Sequence, residues 1–139
     1  MSSDDSEKTW DDYYERKKAD RLREVALLDS AMRSAGVSDE TILALDFHLF
    51  GSSRQSVDAL AGELSENYTV DVVNQEQDYW LAICTTRPYG ATLSRKQHLE
   101  WVEFMVDVGR SHACVFSTWT IEVPSLKATF RSEDIEDDA

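Results

Sequence analysis

The spacing of apolar residues between positions 43 and 123 is the feature that most restricts how this chain can fold. Four segments alternate apolar and polar residues, which is the period of half-buried strands: 43–49, 68–72, 79–85 and 115–123. Two segments between them repeat apolar residues at helical spacing, and these end near Asn67 and Gly109. The pattern therefore predicts the order strand, helix, strand, strand, helix, strand.

Residues that break or cap secondary structure stand at the changes of period. Gly51-Ser52-Ser53 ends the first strand and offers hydroxyl groups that can cap the next helix. The loop Arg87-Pro88-Tyr89-Gly90 ends the third strand, and Pro124 stops the last one. Ser94 and Gln97 have the spacing of a capping box. We therefore expect an α+β fold of the ferredoxin-like, split β-α-β-β-α-β type, with a four-stranded antiparallel sheet and both helices on one face.

A long helix is predicted before this unit. No Gly or Pro interrupts residues 7–35. The larger apolar residues of this stretch fall close to one helical face: Trp10, Tyr14, Leu22, Val25, Leu28 and Met32. Gly36 is placed to end the helix with a left-handed cap. We therefore divide the chain into a polar N-terminus with an amphipathic helix (1–35), a ferredoxin-like domain (36–126) and an acidic flexible tail (127–139).

The chain is strongly acidic, with 27 Asp and Glu residues against 14 Lys and Arg residues and a formal net charge of -13. A field of this sign repels phosphate backbones, so we expect no direct binding to nucleic acid. It attracts basic segments of other proteins, although it can also serve solubility alone. Because residues 35–130 hold 13 acids against 6 bases, we expect the folded body to meet a basic partner.

Signals for export or membrane insertion are absent from the sequence. No apolar run approaches the roughly 20 residues of a membrane span, and the N-terminus lacks the basic and apolar regions of a signal peptide. We therefore expect a cytoplasmic protein with no membrane contact and with free thiols. Cys84 and Cys114 would lie two strands apart in the predicted sheet, at roughly 9 to 10 Å, which is too far for a disulfide.

No pattern in the sequence indicates catalysis, a cofactor or a metal. His48, His98 and His112 form no zinc-binding motif, and the sequence contains no CxxC pair and no phosphate-binding loop. We therefore expect no enzyme activity, no cofactor and no metal site. Asp46 and His48 share the strand face opposite the apolar row. We interpret them as the rim of a contact surface rather than as an acid–base pair.

The segment from Ile42 to Val123 resembles the bacterial family called regulator of ribonuclease E activity B, abbreviated RraB. The resemblance rests on the first strand and its exit, Leu43-Ala44-Leu45-Asp46-Phe47-His48-Leu49-Phe50-Gly51, and on the third strand, Tyr79-Trp80-Leu81-Ala82-Ile83-Cys84. It extends to the second helix and to the final strand, which contains Trp119. A leading helix and an acidic C-terminal tail are further similarities.

This resemblance implies a small acidic cytoplasmic protein with a ferredoxin-like fold. It also implies a non-catalytic regulator that binds ribonuclease E outside its catalytic part and restrains RNA decay. The partner would then be ribonuclease E or another protein with a basic segment, bound by a monomer or a weak homodimer. We expect the following residues to contact the partner, although the aromatic ones could instead belong to the hydrophobic core: Asp46, His48, Trp80, Phe116, Trp10, Tyr13 and Tyr14.

Two alternatives are left open by the sequence. The chain could instead be a small-molecule-binding ferredoxin-like module, with its ligand at the loop Arg87-Pro88-Tyr89-Gly90. Independently of this choice, the N-terminal helix could cover the open face of the sheet or project to bind the partner. The first arrangement would protect Trp10 and Leu22 from solvent.

Overall fold

Three helices and one antiparallel sheet form the protein in a computed structural model that describes residues 3–86 and 90–134. The helices are α1 (Ser3–Ser34), α2 (Arg54–Leu64) and α3 (Arg95–Ser111). The strands are β1 (Ala44–Gly51), β2 (Thr69–Glu76), β3 (Tyr79–Thr85), β4 (Val115–Val123) and β5 (Ala128–Arg131). Short 3-10 helices follow β4 and β5, at Pro124–Leu126 and Ser132–Asp134. The predicted α+β class is confirmed.

The strands lie in the order β2-β3-β1-β4-β5, and every neighbouring pair is antiparallel. The prediction of a four-stranded sheet was therefore wrong, because β5 adds a fifth strand beside β4. A strand of four residues is too short for its alternation to stand out in a sequence. Its Phe130 lies opposite Ile121 and packs against the core.

The segment after residue 127 is folded further than predicted. Residues 128–134 form β5 and a 3-10 helix, so the predicted flexible tail was wrong for these residues. The hydroxyl of buried Ser132 accepts a hydrogen bond from the Trp119 backbone N–H at 3.0 Å, which fastens the segment to β4. The remaining residues of that tail, 135–139, lie outside the described residues.

The ends of the helices follow the local sequence signals. α1 begins at Ser3, earlier than the predicted residue 7, and it ends before Gly36, whose φ of 104° confirms the left-handed cap. Ser53 caps α2 by accepting a hydrogen bond from a backbone N–H of the first turn. Ser94 and Gln97 form the predicted capping box at the start of α3.

The helices cover one face of the sheet and bury a single hydrophobic core. α2 packs on β1, β2 and β3, α3 packs on β4, and α1 packs along α3 and touches β5. The C-terminal half of α1 belongs to this core, because Val25, Leu28 and Met32 are fully buried. The opposite face of the sheet (the open face) carries no helix within the described ranges. Among the described residues, no helix combines the length and the apolar character needed to cross a membrane.

A β-bulge in β4 decides which of its side chains enter the core. The register shifts by one residue where Leu49 of β1 lies opposite Phe116, so that Ser117 is skipped. As a result, Phe116 and Trp119 both face the helices, and Phe116 is only 2% exposed. The prediction that Phe116 contacts a partner was therefore wrong, because uninterrupted alternation would have turned it to the open face.

His98 of α3 and Trp119 of β4 form a buried polar pair inside the core. The Trp119 indole N–H donates to His98 Nε2 at 3.0 Å, so the neutral imidazole carries its proton on Nδ1. Burial, with a smaller contribution from the Arg33 charge, lowers the pKa of His98 to about 4. His98 is therefore a structural residue, as expected for a histidine outside any metal-binding motif.

The lowered pKa of His98 makes stability depend on pH. As pH falls from about 6.5 toward 4, His98 binds a proton in the unfolded chain but stays neutral in the native protein. This difference lowers the free energy of unfolding by up to about 3 kcal/mol. Urea unfolding of the parent and of His98→Gln at pH 7 and pH 4.5 measures this loss. We expect a smaller loss in the variant, and equal losses would contradict the assignment.

Packing of α1 into the core can be tested by shortening one of its buried side chains. Leu28→Ala should lower the free energy of unfolding by about 2 to 5 kcal/mol, because it removes buried methyl groups and leaves a cavity. Leu126→Ala is the matched control, since Leu126 is 41% exposed, and it should cost less than about 1 kcal/mol. Equal effects in urea unfolding would show that α1 does not pack into the core.

Candidate functional site

The open face of the sheet presents apolar side chains toward the Phe50 end of β1 and acidic side chains beside them. Alternation along β1 turns Asp46 and His48 to this face, opposite the buried apolar row of the same strand. Strand register places six apolar residues on it (the open-face patch): Phe50, Val73, Tyr79, Leu81, Ile83 and Val115. Register also adds acids from the neighbouring strands: Asp71, Glu76 and Glu122. The predicted contact residues Asp46 and His48 therefore lie on a mixed acidic and apolar surface.

The open-face patch reaches solvent along the hairpin of β2 and β3. Val73 is 38% exposed and Tyr79 is 37% exposed, whereas Leu81 between them is buried by its neighbours. Phe50 stacks on Tyr79 with the ring centroids 5.1 Å apart and the planes within 18°. The patch is thus ordered by its own contacts and remains accessible at this end.

A cleft of about 440 Å³ (the aromatic cleft) opens at the end of the sheet, beside the first turns of α1. Trp10, Tyr13 and Tyr14 line its helix side, with ring centroids 5.8, 6.1 and 5.7 Å apart in their three pairs. Phe50 and Val115 line its sheet side. Because these two residues also belong to the open-face patch, the cleft and the patch are continuous. The predicted aromatic cluster exists, but it lies at the end of the sheet.

Surface ion pairs hold the N-terminal half of α1 against the end of α3. The Arg110 guanidinium binds Asp11 at 2.6 Å and Glu15 at 3.0 Å, and it lies 5.3 Å from the Tyr14 ring centroid. Trp10, one turn earlier, is 58% exposed. Since exposed ion pairs contribute little to folding, Arg110 positions the helix side of the cleft without contributing much to the stability of the fold.

The other predicted contact residues lie elsewhere. Trp80 lies opposite Gly51 and packs against the core, with the Arg54 guanidinium 5.3 Å from its ring centroid. It therefore faces the helices rather than joining Asp46 and His48, which favours the core alternative for this residue. The loop predicted as a small-molecule site, residues 87–90, lies outside the described residues except for Gly90.

Several residues of the open face were missed by the sequence reasoning. The alternation of β1 implied an outward position for Phe50, so the signal for this residue was present. The alternation of β3 was compatible with either face, and strand register turns Tyr79 and Ile83 outward and Trp80 inward. Val115 carried no such signal, because only the bulge at Ser117 turns it to the open face. The aromatic cleft likewise depends on how α1 crosses the end of the sheet.

The two thiols of the chain lie in the core rather than on this surface. Cys84 and Cys114 are buried free thiols, which confirms the predicted absence of a disulfide. Burial raises the pKa of Cys84 to about 12, with the Asp46 charge adding to the effect, and burial raises that of Cys114 to about 11. Both thiols therefore stay protonated at neutral pH. Within residues 3–86 and 90–134, no three His, Cys, Asp or Glu side chains are grouped as a metal site would need.

Comparison with known proteins adds no assignment, since no protein-family model and no curated protein matches the chain. The resemblance to the RraB family therefore stays a prediction.

The role of Arg110 can be tested by hydrogen exchange. Arg110→Ala should increase amide exchange in residues 10–18 while lowering the global free energy of unfolding by less than about 1 kcal/mol, because the lost ion pairs are exposed. Arg54→Ala is the matched control, since it removes a surface ion pair with Asp58 inside α2. If exchange in α1 is unchanged in Arg110→Ala, these ion pairs do not hold the helix in place.

Proposed function

We propose that the protein is a non-catalytic regulator that binds a partner protein through the open face of its sheet. The observation that carries this proposal is the composition of that face, an apolar patch beside Asp46, Asp71 and Glu122 that no described helix covers. A contiguous apolar patch supplies contact area for a partner. Acidic neighbours supply charge complementarity, so the bound segment is basic.

A ferredoxin-like core is part of the same proposal. β1 to β4 together with α2 and α3 would form this core, and α1 and β5 would be additions to it. The support is the position of β1 between β3 and β4, together with the packing of α2 and α3 into one core on the same face. Such a scaffold leaves one sheet face free for binding.

The resemblance to the RraB family supplies the partner to test first. On this basis the protein would act in the cytoplasm, bind the non-catalytic part of ribonuclease E and restrain RNA decay. The net charge of -13 supports a basic protein segment as the ligand and disfavours direct contact with RNA.

Binding to the non-catalytic part of ribonuclease E can be measured by calorimetry at two salt concentrations. Affinity should fall steeply between about 0.05 and 0.5 M salt, because exposed charges are screened. Asp71→Lys reverses an exposed charge on the open face and should weaken binding roughly tenfold. Glu103→Lys makes the same change of charge on the exposed side of α3 and should leave the affinity within about twofold.

Two results would count against this proposal. Equal losses in Asp71→Lys and Glu103→Lys would mean that net charge, rather than the open face, governs binding. No binding at the lower salt concentration would remove ribonuclease E as the partner.

A further inference from the structure

The N-terminal half of α1 contains a run of three basic residues that stands between acids of the same helix. Arg16, Lys17 and Lys18 are consecutive in sequence. Lys18 binds Asp107 at 3.1 Å, and the Lys17 ammonium lies 5.6 Å from the Tyr13 ring centroid. Arg16 lines the aromatic cleft, and it has no ion-pair partner among the side chains that the structure describes. A guanidinium is therefore available at the cleft.

The aromatic cleft has the size and lining of a small-molecule site. Its volume of about 440 Å³ falls within the roughly 300–1,000 Å³ of typical ligand sites. Most of its lining is aromatic or aliphatic: Trp10, Tyr13, Tyr14, Phe50, Ala113 and Val115. Its polar lining residues are few: Thr9, Arg16 and Ser52. A mainly apolar cleft with few polar groups selects an apolar ligand that carries one polar group.

The charge at the cleft distinguishes its occupant from the partner of the open face. Arg16 is the one charged residue that lines the cleft within the described part of the chain, so the cleft lacks the acidic lining that attracts a basic segment to the open face. A guanidinium presents a planar fork that matches the two oxygens of a carboxylate. The aromatic side chains offer flat surfaces on which a ring can stack.

We propose that the aromatic cleft binds a small aromatic carboxylate, whose ring packs between Trp10 and Phe50 and whose carboxylate pairs with Arg16. This site lies on the α1 side of the sheet end and not at the loop of residues 87–90. It borders the open-face patch through Phe50 and Val115, but its charged group is Arg16, whereas partner binding uses the acids of the open face. Variants of Arg16 and of Asp71 therefore test the two sites separately.

Titration with 1-naphthaleneacetate and with its uncharged amide, 1-naphthaleneacetamide, tests both parts of the proposal. The Trp10 indole N–H resonance reports occupancy of the cleft. Both compounds should shift it and reach saturation, because both have the ring. The acid should bind about fivefold more tightly than the amide, which is the upper range for an exposed ion pair.

Three variants separate the contributions of the ring and of the charge. Arg16→Gln should remove the advantage of the acid and leave the affinity for the amide unchanged. Trp10→Ala should lower the affinity for both compounds. Because this variant lacks the Trp10 resonance, its binding is measured by calorimetry. Arg95→Gln is the matched control, since it removes the same charge at the start of α3, about 25 Å along that helix from the cleft, and it should change neither affinity.

Other results would overturn the proposal. If neither compound shifts the Trp10 resonance, the cleft binds no ligand of this class. If the acid and the amide bind equally well, or if Arg95→Gln matches Arg16→Gln, then Arg16 does not select a carboxylate. If the protein sediments as a dimer that Trp10→Ala dissociates, the cleft is an interface between two copies of the chain.

Discussion

The β-bulge at Ser117 is the constraint on which the rest of the structure depends. By shifting the register of β4, it lets Phe116 and Trp119 fill the core side by side, with their ring centroids 5.4 Å apart. The same shift turns Val115 outward, where its side chain lines the aromatic cleft. The Ser117 carbonyl accepts a hydrogen bond from Arg21 of α1. The bulge thus places Phe116 in the core and Val115 in the cleft lining. It also includes the carbonyl that accepts the hydrogen bond from α1.

The two halves of α1 are held by interactions of different strength. Leu28 and Met32 are fully buried, and burial of such side chains contributes kilocalories to folding. The N-terminal half is held instead by surface ion pairs to α3, those of Arg110 and that of Lys18 with Asp107, which contribute far less. The part of α1 that borders the aromatic cleft can therefore open locally at a small cost while the rest of the fold stays intact. Such low local stability is common in elements that bind ligands.

The sequence predicted the α+β class, every strand of the described sheet except β5, and part of the candidate site. The structure confirms the predicted positions of β3 and β4 and the predicted caps of α2 and α3. These features depend on residues close together in sequence, so local patterns are enough to predict them. Asp46 and His48 were placed on the open face for the same reason. Phe116 was misplaced and β5 was missed, since a bulge and a strand of four residues leave no periodic trace.

By itself, the sequence determined the α+β class, the order of the first four strands and helices along the chain, the free thiols and the acidity of the folded body. These follow from local periodicity, from cap residues and from composition, which need no knowledge of distant contacts. Only the tertiary structure decided that Phe50 and Val115 line one cleft with Trp10, and that Trp80 faces the helices. Those contacts depend on strand register and on the path of α1 across the end of the sheet, and both are set by packing between segments far apart in the chain.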